Sequence, residues 1–205
     1  MIAIIDYGMG NLRSVEKALT YLGQEACITD DPERVKQAER LILPGVGAFH
    51  DAMERLRDSG LDRAVLTSVD AGKPLLGICL GMQLLFGASE ENGRWNGLNL
   101  LPGTITRFPE MGLKIPHMGW NTLETRPCAL FSGHETPYMY FVHSYCAAEI
   151  SPEWTAAVTE YGIPFTSAVC RDNVMGTQFH PEKSGEDGLA LLARFAAWKG
   201  GNPAC

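Results

Sequence analysis

Cys79 lies in Leu75-Leu76-Gly77-Ile78-Cys79-Leu80-Gly81-Met82-Gln83, a G-x-C-x-G run between an apolar stretch and a helix-like one. This is the arrangement of a nucleophile elbow with Cys in place of Ser. A sharp strand-to-helix turn strains the backbone of the nucleophile. Side chains two residues to either side would collide, so both positions need glycine. The turn projects the thiol outward and sets it at a helix N-terminus, whose positive end favours thiolate. The next main-chain N–H, on Leu80, can point at a developing oxyanion. On the motif alone two alternatives stay open: a buried Cys in a glycine-flanked turn, and a cysteine hydrolase or peptidase of another kind.

Two further groups could serve such a thiol. A cysteine nucleophile needs a base, and the base needs an orienting group. In Gln178-Phe179-His180-Pro181-Glu182 an extended chain would put His180 and Glu182 on one side, so Glu182 can hold the imidazole tautomer and stabilise the imidazolium. Pro181 stops the stretch from continuing as a ladder strand. A lone His-x-Glu is common and reads equally as a surface pair; its weight comes from the Cys79 elbow. Leu43-Pro44-Gly45-Val46-Gly47-Ala48-Phe49 is a glycine loop after a buried strand, able to supply a second oxyanion donor or to be a plain tight turn. Val46, between the loop glycines, motivates the hypothesis of a peptide flip that brings an N–H to face the oxyanion.

The elements that must position these groups follow from periodicity. Ile2 to Ile5, 41–44 and 73–78 read as buried strands. Asn11 opens a helical pattern of Leu12, Val15, Leu19 and Leu22 that Gly23 ends; further helices are expected over 48–56, 61–71 and 80–86. Apolar strands alternating with helices imply a mostly parallel sheet covered on both faces. The second half is β-rich, with short segments near 104–108, 113–118, 138–150, 154–160, 165–171 and 174–179 and a hairpin turn at Asp172-Asn173. A last helix is expected over 187–199, with Leu189, Leu192, Phe195 and Ala196 on one face. The fold class is therefore α/β with an antiparallel β extension.

The 205 residues carry a net charge of −7, which argues against nucleic-acid binding because such proteins present a basic face. The first apolar run is too short for a signal peptide, and none approaches a membrane span, so a cytoplasmic protein is expected. Cys27, Cys79, Cys128, Cys146, Cys170 and Cys205 form no C-x-x-C pair; neither a metal site nor disulfides are expected, and most should be small buried residues. Gly8-Met9-Gly10 followed by Arg13 is not a dinucleotide fingerprint, and no P-loop is present. His50 and His134 lack motif context and read as surface residues. Phe131, Tyr138 and Tyr140 read as core or interface rather than as a base-stacking platform.

G-I-C-L-G-M-Q, H-P-E and P-G-V-G, in this order and spacing, resemble the class I (triad) glutamine amidotransferases over essentially the whole chain. Three further segments, 6–14, 117–121 and 140–145, with His-Pro-Glu-Lys-Ser ending at Ser184, resemble the glutaminase subunits of imidazole glycerol phosphate synthases. The resemblance implies one amidotransferase domain over 1–205 on a flavodoxin-like sheet. It implies that Cys79 attacks the side-chain amide of L-glutamine, with His180 and Glu182 completing the triad and no cofactor. Val46, Gly47, Leu80, Gln83, His143, Ser144 and Tyr145 would hold substrate and oxyanion. Ammonia would pass to a separate (β/α)8-barrel cyclase subunit, met by Asn11, Met118, Trp120, Asn121, Tyr140 and Lys183. Subunits of anthranilate, aminodeoxychorismate or pyridoxal phosphate synthases, and a catalytically silent binding protein on the same fold, are the alternatives.

Overall fold

The structure is a computed structural model that describes residues 1–131, 136–148 and 150–199. The first half alternates as the apolar pattern requires: β1 (Ile2–Ile5), α1 (Leu12–Tyr21), β2 (Ala26–Thr29), α2 (Pro32–Gln37), β3 (Arg40–Gly45), α3 (Phe49–Asp58), α4 (Leu61–Asp70), β4 (Leu75–Cys79) and α5 (Leu80–Leu84). Then come β5 (Phe86–Ser89), β6 (Trp95–Asn96), β7 (Leu101–Arg107), β8 (His117–Thr122), β9 (Glu124–Thr125), β10 (Tyr138–His143), β11 (Tyr145–Ala148), β12 (Thr155–Tyr161), β13 (Ile163–Arg171) and β14 (Val174–Thr177). A one-turn 3-10 helix, Pro181–Lys183, leads into α6 (Gly185–Ala197).

One sheet runs β2-β1-β3-β4-β14-β13-β11-β7-β5-β6, with β12 and β9 branching from β13. Strands β2, β1, β3, β4 and β14 are mutually parallel, and β13 turns the sheet antiparallel. Alternate residues of one strand feed opposite layers. Ile2 and Ile4 pack with Val15 and Leu19 of α1 and Leu191 and Phe195 of α6. Ala3 and Ile5 pack with Val35, Met53, Leu56 and Val65 of α2, α3 and α4. Burial on both faces explains why these strands read as unbroken apolar runs. Strands β8 and β10 form a separate two-stranded antiparallel ribbon.

The α/β class with an antiparallel second half is as expected, and Asp172, at φ 51°, makes the two-residue turn between β13 and β14. Several boundaries differ. The helix expected over 80–86 stops at Leu84, and Phe86 starts β5 beside β7; a short apolar run does not distinguish helix from strand by periodicity. The segment 138–150 is two strands in different sheets, broken at Ser144. The strand expected over 113–118 begins only at His117. The last helix starts at Gly185 and ends at Ala197. Strand β2 and helix α2 were not anticipated, although Asp31 caps α2 by accepting from the Glu33 N–H at 2.9 Å with Pro32 next to it.

Cys79, Cys146 and Cys170 are buried and Cys27 and Cys128 half-buried; Cys205 and His134 lie outside the described residues. Among the described residues no helix is long and apolar enough to cross a membrane.

The elbow depends on backbones touching. A Cβ on Gly81 would overlap the Leu43 carbonyl, whereas one on Gly72 would meet nothing within 4 Å. Gly81→Ala is therefore expected to cost about 3 kcal/mol or more, against about 1 kcal/mol for the φ penalty of Gly72→Ala. Urea unfolding of the two variants measures this, and equal costs would refute the contact.

Candidate active site

Strands β3 and β4 pair in parallel with Gly45 opposite Cys79, so the glycine loop and the elbow lie side by side at the carboxyl ends of the strands. Ligands of open α/β sheets bind at this edge. Cys79 holds φ 56°, ψ −112°, a backbone conformation that L residues resist. The surrounding glycines permit it. A Cβ on Gly77 would come 2.7 Å from the Gly81 carbonyl and the Met82 nitrogen, and one on Gly45 would come 2.6 Å from the Tyr7 hydroxyl. Burial and the Cys79 charge push the Tyr7 hydroxyl far above its ordinary pKa, so it stays protonated and donates to the Pro44 carbonyl at 2.9 Å. Helix α5 has only five residues, so its dipole at Cys79 is weaker than that of a full-length helix.

His180 Nδ1 lies 2.9 Å from Glu182 Oε1, with side chains 2% and 1% exposed. A carboxylate only accepts, so Nδ1 carries a proton and Nε2 is the working nitrogen. Extended strand geometry was expected to align the pair. Instead the 3-10 turn Pro181–Lys183 folds Glu182 back onto His180. Asn11 Nδ2 donates to the same Glu182 oxygen at 3.3 Å, while Oε2 has no partner. The turn is held from outside: the His180 N–H donates to the Tyr140 carbonyl at 2.9 Å, and Ser184 Oγ donates to the His180 carbonyl at 2.6 Å. Burial alone would lower the His180 pKa, but hydrogen bonding and charge from Cys79 and Glu182 push it up to about 10. The upward push favours the imidazolium, the form that can protonate a leaving group. Its Nε2 has no partner in full hydrogen-bond geometry; Cys79 is the neighbour that acts on it.

A cleft of about 450 Å³ opens on Cys79 and His180. Val46, Gly47, Leu80, Gln83, His143, Ser144 and Tyr145 line it, so every residue expected to hold substrate meets there. Glu91 also lines it and was missed; its carboxylate accepts the Phe49 N–H at the start of α3, at 2.8 Å, and it sits in an ordinary-looking acidic turn that gives no sequence signal. Among the described residues no group of three or more His, Cys, Asp or Glu side chains could hold a metal ion.

Beneath the cleft runs a buried chain of polar groups. Gln83 Nε2 donates to the Tyr145 carbonyl at 3.1 Å and to Gln178 Oε1 at 3.0 Å. His143 Nδ1 donates to the same Tyr145 carbonyl at 2.8 Å, leaving its Nε2 to accept from His117 Nδ1 at 3.1 Å. Asn121 Nδ2 closes the chain on His117 Nε2 at 3.4 Å and on the Glu160 carbonyl at 2.9 Å. The side chain of Asn121 therefore turns inward. Met118 and Trp120 point outward, 56% and 46% exposed, with Trp120 stacked on Tyr138 at 5.6 Å and Lys183 Nζ 5.9 Å from the Tyr140 ring. Phe131 is core, and His50 is half-buried at the surface, its ring tilted against Trp95 with centroids 3.9 Å apart.

Burial pushes His117 down to about 4 and His143 to about 3; the charges of His117 and His180 add to the latter, against the Tyr145 hydrogen bond. The unfolded chain takes up a proton at His117 near its ordinary 6.5, while the folded chain resists until about 4, so stability is full above the first value and falls toward the second. Between pH 7 and 5 the wild-type chain should lose about 1–2 kcal/mol more than His117→Gln. Urea titrations at the two pH values test this, and parallel losses would refute it.

Residues 3–197 match the family described as Glutamine amidotransferase class-I. The chain is 54% identical over 200 residues to imidazole glycerol phosphate synthase subunit HisH of Desulfitobacterium hafniense (strain DSM 10664 / DCB-2), covering 97% of this chain and 94% of the relative. To the subunit of the same name from Syntrophotalea carbinolica it is 52% identical over 203 residues, covering 95% and 98%. Among solved structures, a glutamine amidotransferase superposes with a TM-score of 0.77 at 21% identity, covering 97% of this chain and 100% of that one. PurLQS from Thermotoga maritima gives 0.74 at 21%, covering 95% and 96%; both likenesses concern the fold.

Proposed function

The chain belongs to the class-I glutamine amidotransferase family, and from this we infer that it hydrolyses glutamine to glutamate and ammonia as the glutaminase subunit of an imidazole glycerol phosphate synthase. The ammonia goes to a (β/α)8-barrel cyclase subunit, which uses it with a phosphoribulosyl formimino intermediate. The products are imidazole glycerol phosphate and aminoimidazole carboxamide ribotide, in histidine biosynthesis. One observation carries the reading: identity above 50% to subunits of that enzyme over nearly the full length, in a chain whose Cys79 shares a cleft with a 2.9 Å His180–Glu182 pair.

Cys79 Sγ attacks the amide carbon of the glutamine side chain. The developing oxyanion takes the Leu80 N–H, and a second donor comes from the Val46–Gly47 peptide once it turns toward the site. His180 gives its Nε2 proton to the departing ammonia, leaving a thioester. With its lone pair restored, His180 takes a proton from water, which attacks the thioester and releases glutamate. Glu182 keeps the imidazole oriented and balances its charge. Gln83, His143, Ser144 and Tyr145 hold the substrate, and the Glu91 carboxylate suits its α-ammonium. Nucleophile, acid–base group and oxyanion donors are all protein groups, so these steps need no cofactor. The outer face of the β8–β10 ribbon, with Met118, Trp120 and Tyr140, meets the cyclase subunit together with Asn11, Asn121 and Lys183. The protein works in the cytoplasm as one amidotransferase domain over 1–205.

A glutaminase subunit of another synthase would keep this chemistry, and pull-down of the endogenous partner separates the two. A silent binding protein would be expected to have lost a triad member.

Cys79→Ala in the complex with the cyclase subunit is expected to lower glutamine hydrolysis by at least about a thousandfold; retained turnover would exclude Cys79 as nucleophile. The wild-type chain should hydrolyse glutamine faster with the cyclase subunit and its ligand than alone. Equal rates would remove partner gating.

A further inference from the structure

We propose that Gln178 is a further catalytic residue of this site: its side-chain amide donates a hydrogen bond to the Cys79 sulfur and stabilises the thiolate that attacks the amide and later leaves the thioester. The proposal rests on Cys79 being the nucleophile. Gln178 is fully buried, and its Nε2 lies 3.8 Å from Cys79 Sγ, within N–H···S reach.

An amide turned the other way would present oxygen to the sulfur and repel the thiolate, so the case depends on which end faces Cys79. Main-chain groups decide it. The Tyr145 carbonyl only accepts, so the Gln83 atom 3.1 Å from it is the NH2 group. That group's second hydrogen points at Gln178, 3.0 Å away, which makes the receiving Gln178 atom the oxygen and the atom beside the sulfur the nitrogen. Reversing Gln178 would set two donors against each other and an oxygen against the sulfur. His143 Nδ1, at 2.8 Å, fills the remaining acceptor position of the Tyr145 carbonyl, so that anchor is saturated. The far end agrees independently: Asn121 Nδ2 is fixed as a donor by the Glu160 carbonyl, and donors then run one way through His117 and His143 to Tyr145.

The site has need of this donor. The Val142 carbonyl, 4.0 Å from the sulfur, suits a protonated thiol and opposes a thiolate. The five-residue α5 supplies a weakened dipole. His180 stabilises the thiolate only until it gives up its proton, whereas the Gln178 donor is present throughout. When water has added to the thioester carbon, the C–S bond breaks with its electron pair on sulfur, and the same N–H receives the charge.

The test is alkylation of Cys79 by iodoacetamide across pH 5–9, read by peptide mass spectrometry on the full chain. Gln178→Glu keeps the shape and an oxygen for Gln83 but replaces the donor; Gln178→Leu removes both. His180 and Tyr7 also couple to Cys79, so variants are compared with wild type rather than judged by absolute midpoints. In the variants alkylation at pH 7 is expected to fall about tenfold and its profile to move up by about one pH unit, with Cys27 and Cys128 unaffected. In the cyclase complex kcat should fall similarly while the KM for glutamine stays within about twofold. An unchanged Cys79 profile in a folded Gln178→Glu chain would overturn the proposal, whatever its kcat. In wild type, the Gln178 side-chain amide proton resonance should titrate with the midpoint of Cys79 alkylation, and a resonance indifferent to that midpoint would equally overturn it. Cys79 alkylation that glutamine fails to block, with turnover retained in Cys79→Ala, would instead refute the nucleophile assignment beneath it.

Discussion

Sheet register governs this site. Strand β4 lies between β3 and β14, with Gly45 opposite Cys79 on one side and Thr177 opposite Ile78 on the other. The residue after Gly45 is Val46 of the glycine loop. Those after Thr177 are Gln178, Phe179 and His180. The parallel ladder thus delivers the glycine loop, Cys79 and His180 to one edge, although they are far apart in sequence. A slip of one residue would turn every side chain of β4 to the opposite layer, and both layers are packed, so the register is held by the whole core. The strain at Cys79, of order 1–3 kcal/mol, is offset by that packing, and the glycines at 45, 77 and 81 let the neighbouring backbones close around it.

The same burial sets the electrostatics. A carboxylate as enclosed as Glu182 is costly to desolvate and persists only with a paired charge and further donors. His180 supplies the charge and Asn11 a donor, both on Oε1. Against the burial that lowers it, Cys79 and then Glu182 raise the His180 pKa, so the pairing that keeps the buried carboxylate also favours the protonated imidazole. The second histidine pair shows the opposite outcome. His117 and His143 are buried against rings and a carbonyl, with no carboxylate among the hydrogen-bond partners described for them, and both are driven neutral. Two buried histidine environments, one on the β8–β10 ribbon and one at the 3-10 turn, are thus pushed in opposite directions because only His180 has Cys79 and Glu182 beside it.

What could be read from the residues alone follows this physics. The elbow was legible because only glycine tolerates backbone approach at positions 77 and 81, and the parallel half because strands buried on both faces lack polar alternation. The His180–Glu182 pair was found for a partly mistaken reason: strand alternation was assumed, and a 3-10 turn made the contact. The break of 138–150 at Ser144 was hidden, since both halves are mainly apolar and it is their partners that place them in different sheets. Gln178 stood in a quoted motif without a role, because its role depends on which end of a flat amide faces the sulfur. That is decided by a carbonyl 33 positions earlier in the chain. Glu91 had no pattern at all: it enters the cleft because a turn and the start of α3 meet in space.

The β8–β10 ribbon joins these parts. Two strands alone are marginally stable, so the ribbon is held by what it touches. On its inner side Phe141 and His117 stack at 4.7 Å, and His117 stacks on Tyr161 at 4.0 Å. Through its main chain β10 receives the His180 N–H at Tyr140 and donates to Ser184 Oγ at 3.0 Å, while the next carbonyl on the same side, Val142, reaches Cys79. Its outer side carries Tyr138 and Tyr140 opposite Thr122 and Trp120 of β8. One strand therefore presents aromatic surface outward and touches both His180 and Cys79 through its backbone. A protein seated on Met118 and Trp120 cannot shift β10 without moving the Tyr140 and Val142 carbonyls with it. The ribbon thus connects that outer surface to the thiol through its own main chain.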